Sequence, residues 1–156
     1  MNFFHITWVT HNSRTSERMR KYHVTPGKAV YFTKVEEIEI TQYLYDIVKE
    51  QNIVLIAFTI CCNHIHLIIY CNNNEVPYIV RKLKGKSAYY YKQKRKLIKY
   101  KLWAQKYNCV QIENDEQLFD TIEYIRYNRR KHNLPPNTEL RKYVVDMITP
   151  LDQILD

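Results

Sequence analysis

The sequence predicts an α+β fold: a small antiparallel sheet with helices packed on one face, closed in the ferredoxin-like manner. Three observations predict it. Short β-branched and aromatic runs alternate with amphipathic segments in the order β-α-β-β-α-β-α. Two of those runs, "IVLIAFTI" and "IHLIIY", are separated only by the "CCN" region and its neighbour, which makes them adjacent antiparallel strands. The chain has 156 residues, 46% apolar and 26% charged, enough for one ordinary core and too few for two.

The opening "FFHITWVT" alternates and is β-rich, so it reads as the first strand. Residues 11–34 are polar and basic and contain "TPGK", a loop or turn. From Glu36 to about Gln51, positions 40, 44, 47 and 48 are apolar at helical spacing, with acids early in the segment. After the two central strands, "NNNEVPYIVRKLKGKSAYYYKQKRK" opens with capping-type asparagines and a first-turn proline and continues as a basic helix. "KYKLWAQKYNCVQIE" is a strand candidate with room for a bend. "NDEQLFDTIEYIRYNRRKHN" is a helix capped by Asn114 or Asp115 and stopped by "NLPP". Residues 1–136 are expected to form the domain, and 137–156 a tail with one short helix.

Composition narrows the partners. The net charge is +8, yet residues 76–112 carry eleven Lys or Arg and no acid, which leaves the rest of the chain at net −3. Charge so segregated suits a nucleic acid or an anionic membrane. "SAYYYKQKRKLIKYK" interleaves rings with cations and lacks the Leu/Phe/Trp face of a membrane helix, so nucleic acid is favoured. No apolar run approaches the length of a membrane span and the N-terminus has no signal-peptide pattern; the expected location is the cytoplasm. Only Gly27 and Gly85 are glycines, which excludes the glycine-rich phosphate loops. Cys61, Cys62, Cys71 and Cys109 have no zinc-ligand spacing and read as small buried hydrophobes. Trp8 and Trp103 read as packing residues, and at least one of Tyr89, Tyr90 and Tyr91 must turn inward.

The polar residues that resist a structural explanation are His64 and His66, set one residue apart in an otherwise apolar run. Side chains two apart on a strand share a face, so both imidazoles can reach one point above the sheet as ligands of a divalent metal. Alone, the pair is as well explained by two hydrogen-bonded structural histidines. On the last long helix Leu118, Phe119, Ile122 and Ile125 form the apolar stripe. Tyr124 lies off that stripe, with Asn128 one turn along the same flank. A metal held by His64, His66 and an oxygen of Asn128 would polarise a phosphodiester, and Tyr124 would attack phosphorus. The basic helix would hold the strand on either side.

At these residues a resemblance becomes visible. "NHIHLII" resembles the HUH motif (His, hydrophobic, His) of the small single-tyrosine transposases, a group that includes the REP-associated tyrosine transposases of bacteria. "KLKGKSAYYY" is similar to the start of their basic helix, and "YIRYN" to their YIxxN; the likeness runs from about residue 3 to 134. It implies a ferredoxin-like endonuclease that uses Mg²⁺ or Mn²⁺ and cleaves single-stranded DNA beside an imperfect hairpin, with Tyr124 as nucleophile and His64, His66 and Asn128 as metal ligands. The cleavage leaves a 5′-phosphotyrosine and a free 3′-OH. The expected DNA contacts are Arg81, Lys82, Lys84, Lys86 and Lys92 of the basic helix, with Arg129 and Arg130 beside the tyrosine. Two departures stand out: "RRKHN" follows Asn128 where many relatives have proline, which permits a longer helix, and Lys106-Tyr107 replaces a frequent Gly-Tyr. Whether Tyr124 serves its own histidines or those of a second subunit in a homodimer stays open.

Other histidine enzymes fit less well. The HxHxHxx hydrolases are excluded by Ile68, and the two-histidine phosphoesterases by the single half-match His5-Ile6-Thr7. The alternative from another class is a non-catalytic nucleic-acid-binding module on the same fold, which metal-dependent nicking would separate from the enzyme.

Overall fold

A computed structural model describes residues 1–155. Four strands, β1 (Asn2–Val9), β2 (Leu55–Ile60), β3 (His64–Cys71) and β4 (Asn108–Ile112), form one sheet in the order β2-β3-β1-β4. Every neighbouring pair is antiparallel. The helices are α1 (Glu17–Lys21), α2 (Lys34–Glu50), α3 (Val76–Arg95), α4 (Asp115–Arg126), α5 (Asn128–Lys131) and α6 (Arg141–Met147). This is the expected α+β, ferredoxin-like arrangement: α2 carries the chain from β1 to β2, and α3 carries it from β3 to β4.

The sheet divides the interior in two. Phe4, Ile6 and Trp8 of β1 and Ile65, Leu67 and Ile69 of β3 point to one face, where they meet Ile40, Leu44 and Ile47 of α2 and Val80 and Leu83 of α3. Leu140 and Met147, from the C-terminal segment, join this same core. A smaller cluster lies on the other face, where Ile56, Ala57, Ile68 and Ile112 receive Leu118 and Ile125 of α4. The two connecting helices therefore pack together on one face as expected, and α4 adds a third layer over the other. With the first face filled, the apolar stripe of α4 has only the second left to cover. Phe119, placed in that stripe by its spacing, is in fact exposed.

Local chemistry sets the ends of the elements. Thr33 and Glu36 cap α2 reciprocally, each side chain accepting the other's backbone N–H at 3.2 Å, so the helix starts at Lys34. Asn114 caps α4 by accepting the Gln117 N–H at 2.9 Å. The segment before β4 does not extend as one strand: Trp103 makes a single bridge to Thr10, and the chain bends before re-entering the sheet at Asn108. Trp103 is held there by donating to Ser87 Oγ at 3.0 Å. Tyr91 turns inward while Tyr89 stays exposed, and Cys61 and Cys71 are buried while Cys109 lies exposed on the edge strand. No helix among the described residues is long and apolar enough to cross a membrane.

Candidate active site

The second face of the sheet is only partly covered, and its uncovered part is polar. Because β3 has a period of two, filling the main core with Ile65, Leu67 and Ile69 commits His64, His66 and Ile68 to the α4 side. Antiparallel pairing sets Thr7 opposite His66 and Val9 opposite His64. By the same alternation His5 and Thr7, between the core residues Phe4, Ile6 and Trp8, face the histidines. Helix α4 is anchored over this face by Leu118 and Ile125, and it is interrupted at Tyr127 (φ −99°, ψ 7°) before α5 begins. The longer helix permitted by the missing proline is thus broken in two. The interruption turns Asn128 into the protein, where it is fully buried. One turn earlier Tyr124 remains 38% exposed, its ring perpendicular to that of His66 with centroids 5.3 Å apart.

His64 and Asn128 meet directly, Nε2 to Oδ1, at 2.9 Å. The other nitrogen of His64 lies 2.7 Å from Asn63 Oδ1. His66 Nδ1 lies 2.9 Å from Thr7 Oγ1 and 3.0 Å from His5 Nε2. Burial lowers the pKa of His5 and His64 below the ordinary 6.5. It takes His66 down to about 3, with the neighbouring His64 and His5 adding to the effect. All three rings are therefore neutral at physiological pH and can offer lone pairs, the form in which imidazole binds metals.

These residues fit a divalent cation. Two ligands at right angles, each about 2.1 Å from one octahedral ion, stand about 3 Å apart, which matches the His64–Asn128 spacing. Asn128 Oδ1 stands 2.9 Å from His64 Nε2, while its Nδ2 is buried without a hydrogen-bond partner. Among the described residues no three His, Cys, Asp or Glu side chains gather to hold a metal, so a set built on these histidines would need the amide oxygen. A mixed imidazole and carbonyl set is compatible with an ion as hard as Mn²⁺ or Mg²⁺.

A family model for IS200-like transposases matches residues 4–128. The chain belongs to that family. No curated protein sequence matches it significantly. Among solved structures, a REP-associated tyrosine transposase bound to a REP hairpin aligns with a TM-score of 0.57 and 14% identity, over 84% of this chain and 68% of that one. A candidate transposase from Deinococcus radiodurans aligns with a TM-score of 0.47 and 19% identity, over 80% and 88% of the two chains. At 14% identity, the first of these shows a shared fold.

In this IS200-like transposase the cations of the basic helix stand on the other face of the sheet from the histidines. Helix α3 lies behind the sheet, across the main core from the histidines. Lys84 donates to the carbonyls of Ala104, Gln105 and Lys106 at 2.8, 3.0 and 3.3 Å, pinning the bend before β4. Lys86 pairs with Glu50 of α2 at 2.9 Å. Arg129 turns inward, donating to Glu37 at 2.6 Å, to the Ile60 carbonyl at 2.9 Å and to the Pro135 carbonyl. Lys84 and Arg129 are thus engaged by the fold itself, and Lys86 by a surface ion pair with Glu50. Arg81 and Lys82 lie over the Tyr78 ring on the rear layer, Lys92 follows on the same helix, and Arg130 is exposed on α5.

Other cations stand at the site itself. A cavity of about 680 Å³ beside the histidines and Tyr124 is lined by Arg14, Lys106, Tyr107, Lys131 and His132. Arg14, Lys106 and Lys131 form no ion pair among the described residues. Lys131 Nζ sits over the Tyr124 ring, 4.7 Å from its centroid and 3.5 Å from its hydroxyl. The sequence signal for His5 and Thr7 was their alternation with core residues. Arg14 was visible only as one cation of the polar loop after the first strand and Lys106 only as the replacement in Lys106-Tyr107, and neither pattern placed the residue beside the histidines.

Proposed function

We propose that this transposase is a metal-dependent single-stranded DNA endonuclease and strand transferase, with Tyr124 as nucleophile and His64, His66 and Asn128 as ligands of Mg²⁺ or Mn²⁺. The observation that carries this reading is the single polar face on which the Tyr124 ring lies against His66, beside the His64–Asn128 pair. When bound, the ion would supply Lewis acidity to the scissile phosphodiester.

The chain's own groups do the rest. Tyr124 forms a bond from its phenolic oxygen to phosphorus, the bond from phosphorus to the 3′-oxygen breaks, and that oxygen leaves as a free 3′-OH after taking a proton. The 5′ side stays on the enzyme as a phosphotyrosine, and attack on it by a 3′-OH rejoins strands without an external energy source. Phenols ionise near pH 10, so the attacking oxygen needs a cation close by. Lys131 stands in that place. Arg14 and Lys106 would hold phosphates of the strand as it crosses the site. The hairpin beside the cleavage point is proposed from the solved transposase, which is bound to one. Tyr124 and the proposed ligands stand together within one chain, which supports cleavage by a single subunit, and a homodimer would bring two such sites together.

The test is incubation with single-stranded, hairpin-bearing DNA from the gene's own flanks, with Mn²⁺ or with EDTA, read on a denaturing gel. The expected result is a covalent protein–DNA adduct that needs the metal and is lost in Tyr124→Phe. Binding without an adduct across several flanking sequences would instead identify a non-catalytic nucleic-acid-binding module.

A further inference from the structure

His64 has one more acceptor than it has protons. Its Nδ1 lies 2.7 Å from Asn63 Oδ1 and its Nε2 lies 2.9 Å from Asn128 Oδ1. Both partners are amide oxygens, and a neutral imidazole carries a single N–H. The two oxygens do not compete equally. Asn128 Oδ1 already accepts from the Cys61 thiol at 3.3 Å. Asn63 Oδ1 has no other donor among the described residues, and its contact with the ring is the shorter. The Asn63 backbone is fixed as well: its carbonyl accepts the Thr10 N–H at 2.9 Å, and the Cys61 N–H closes the same turn onto the His64 carbonyl at 2.8 Å.

We propose that Asn63 is a positioning residue that holds His64 as its Nδ1–H tautomer, leaving the Nε2 lone pair aimed at the point shared with Asn128 Oδ1. Two lone pairs 2.9 Å apart repel each other in the metal-free protein and become adjacent ligands once a cation lies between them. Turning the Asn128 amide over would place its N–H against Nε2 and leave the same tautomer. Thr7 and His5 share the corresponding place beside His66: its Nδ1 lies 2.9 Å from Thr7 Oγ1 and 3.0 Å from His5 Nε2, either of which can accept an Nδ1 proton, and His66 Nε2 has no hydrogen-bond partner among the described residues. A ligand histidine whose second nitrogen is held in this way is oriented before the metal arrives, and loss of such a partner typically costs about 10–100-fold in metal affinity.

The inference rests on the proposed ligand roles of the two histidines, and its test has a part that needs no metal. Long-range ¹H–¹⁵N correlation of the imidazoles in the metal-free protein reads the tautomer of each histidine directly. The wild-type protein is expected to show His64 protonated on Nδ1. Asn63→Leu is expected to move the proton to Nε2, where Asn128 Oδ1 accepts it, and to weaken Mn²⁺ binding, measured by electron paramagnetic resonance, by roughly 10–100-fold. Asn63→Asp, which keeps the acceptor, is expected to retain both the tautomer and the affinity. A purely structural role for Asn63 would not predict that split. The amide fingerprint spectrum confirms that each variant is folded. An Nε2–H tautomer in wild-type His64 would overturn the inference, as would an unchanged tautomer and Mn²⁺ affinity in Asn63→Leu. Absence of Mn²⁺ binding by a wild-type protein with the Nδ1–H tautomer would instead overturn the metal reading and leave the role of Asn63 in place.

Discussion

Two adjacent residues, Asn128 and Arg129, show how one turn of chain serves the candidate site and stability at once. Asn128 faces His64, and Arg129 next to it is locked onto Glu37, a carboxylate only 4% exposed. Removing one partner of a buried pair leaves the other uncompensated, which typically costs 3–5 kcal/mol. Arg129→Ala is therefore expected to lower stability by about 3 kcal/mol in urea unfolding and to reduce adduct formation by unseating Asn128. Arg130→Ala, at an exposed position, is expected to change stability by less than about 0.5 kcal/mol. Composition counted Arg129 and Arg130 alike as cations beside the tyrosine. What separates them is a carboxylate 92 positions earlier, at Glu37, which no local pattern reveals. Tyr124 and Asn128 were legible because their relation is a local helical spacing. Asn63 and Thr7 were not, because they act only through partners set by the β2–β3 turn and the β1–β3 register.

Among the elements, α4 carries the proposed nucleophile, Tyr124, yet rests on the smaller of the two apolar clusters. Ile125, 1% exposed and adjacent to Tyr124, is its main anchor with Leu118. Ile125→Ala is expected to destabilise the protein by about 2–4 kcal/mol and to slow cleavage through misplacement of Tyr124, whereas Phe119→Ala, at a 55% exposed position, should do neither. Chemical denaturation together with single-turnover cleavage measures both. The basic helix α3 offers the complementary case. Much of its charge is spent on holding the fold: Lys84 on carbonyls, Lys86 on Glu50, and Lys94 and Arg95 on Glu39. Lys106→Ala and Arg14→Ala are therefore expected to weaken single-strand cleavage severalfold, while Lys92→Ala leaves its rate nearly unchanged. Helical spacing marked α4 but not its break at Tyr127, and capping residues with basic composition marked α3. Neither signal said which sheet face each would cover, since an apolar stripe requires a surface without specifying which one.

Taken whole, the molecule should be sensitive to acid through its site rather than its core. His5, His64 and His66 titrate below their ordinary 6.5 in the folded protein, His66 at about 3. As pH falls through 6.5 the unfolded chain takes up protons on these histidines that the native state does not, so stability falls with pH in that window. The urea midpoint is expected to be lower at pH 5.5 than at pH 7.5, and the difference should shrink in His66→Gln. Saturating Mn²⁺ is expected to raise the midpoint at pH 7.5 by mass action, and His64→Ala should abolish that rise. The ferredoxin-like closure could be read from the sequence because short connections and right-handed crossovers leave few alternatives. The division into a deep rear core and a shallow front one depends on which side chains fill first, a property of the packed molecule.

Under the proposed chemistry, with cleavage by a single subunit, the nearness of Tyr124 to the histidines of its own chain implies a stoichiometry. There is one phenol for each histidine pair, and under the proposed chemistry a bond to one 5′ end consumes it until that end is released. Moving a stretch of DNA involves two ends. A lone copy must therefore finish with the first before it takes the second, and holding both at once requires two copies, each loaded with one strand.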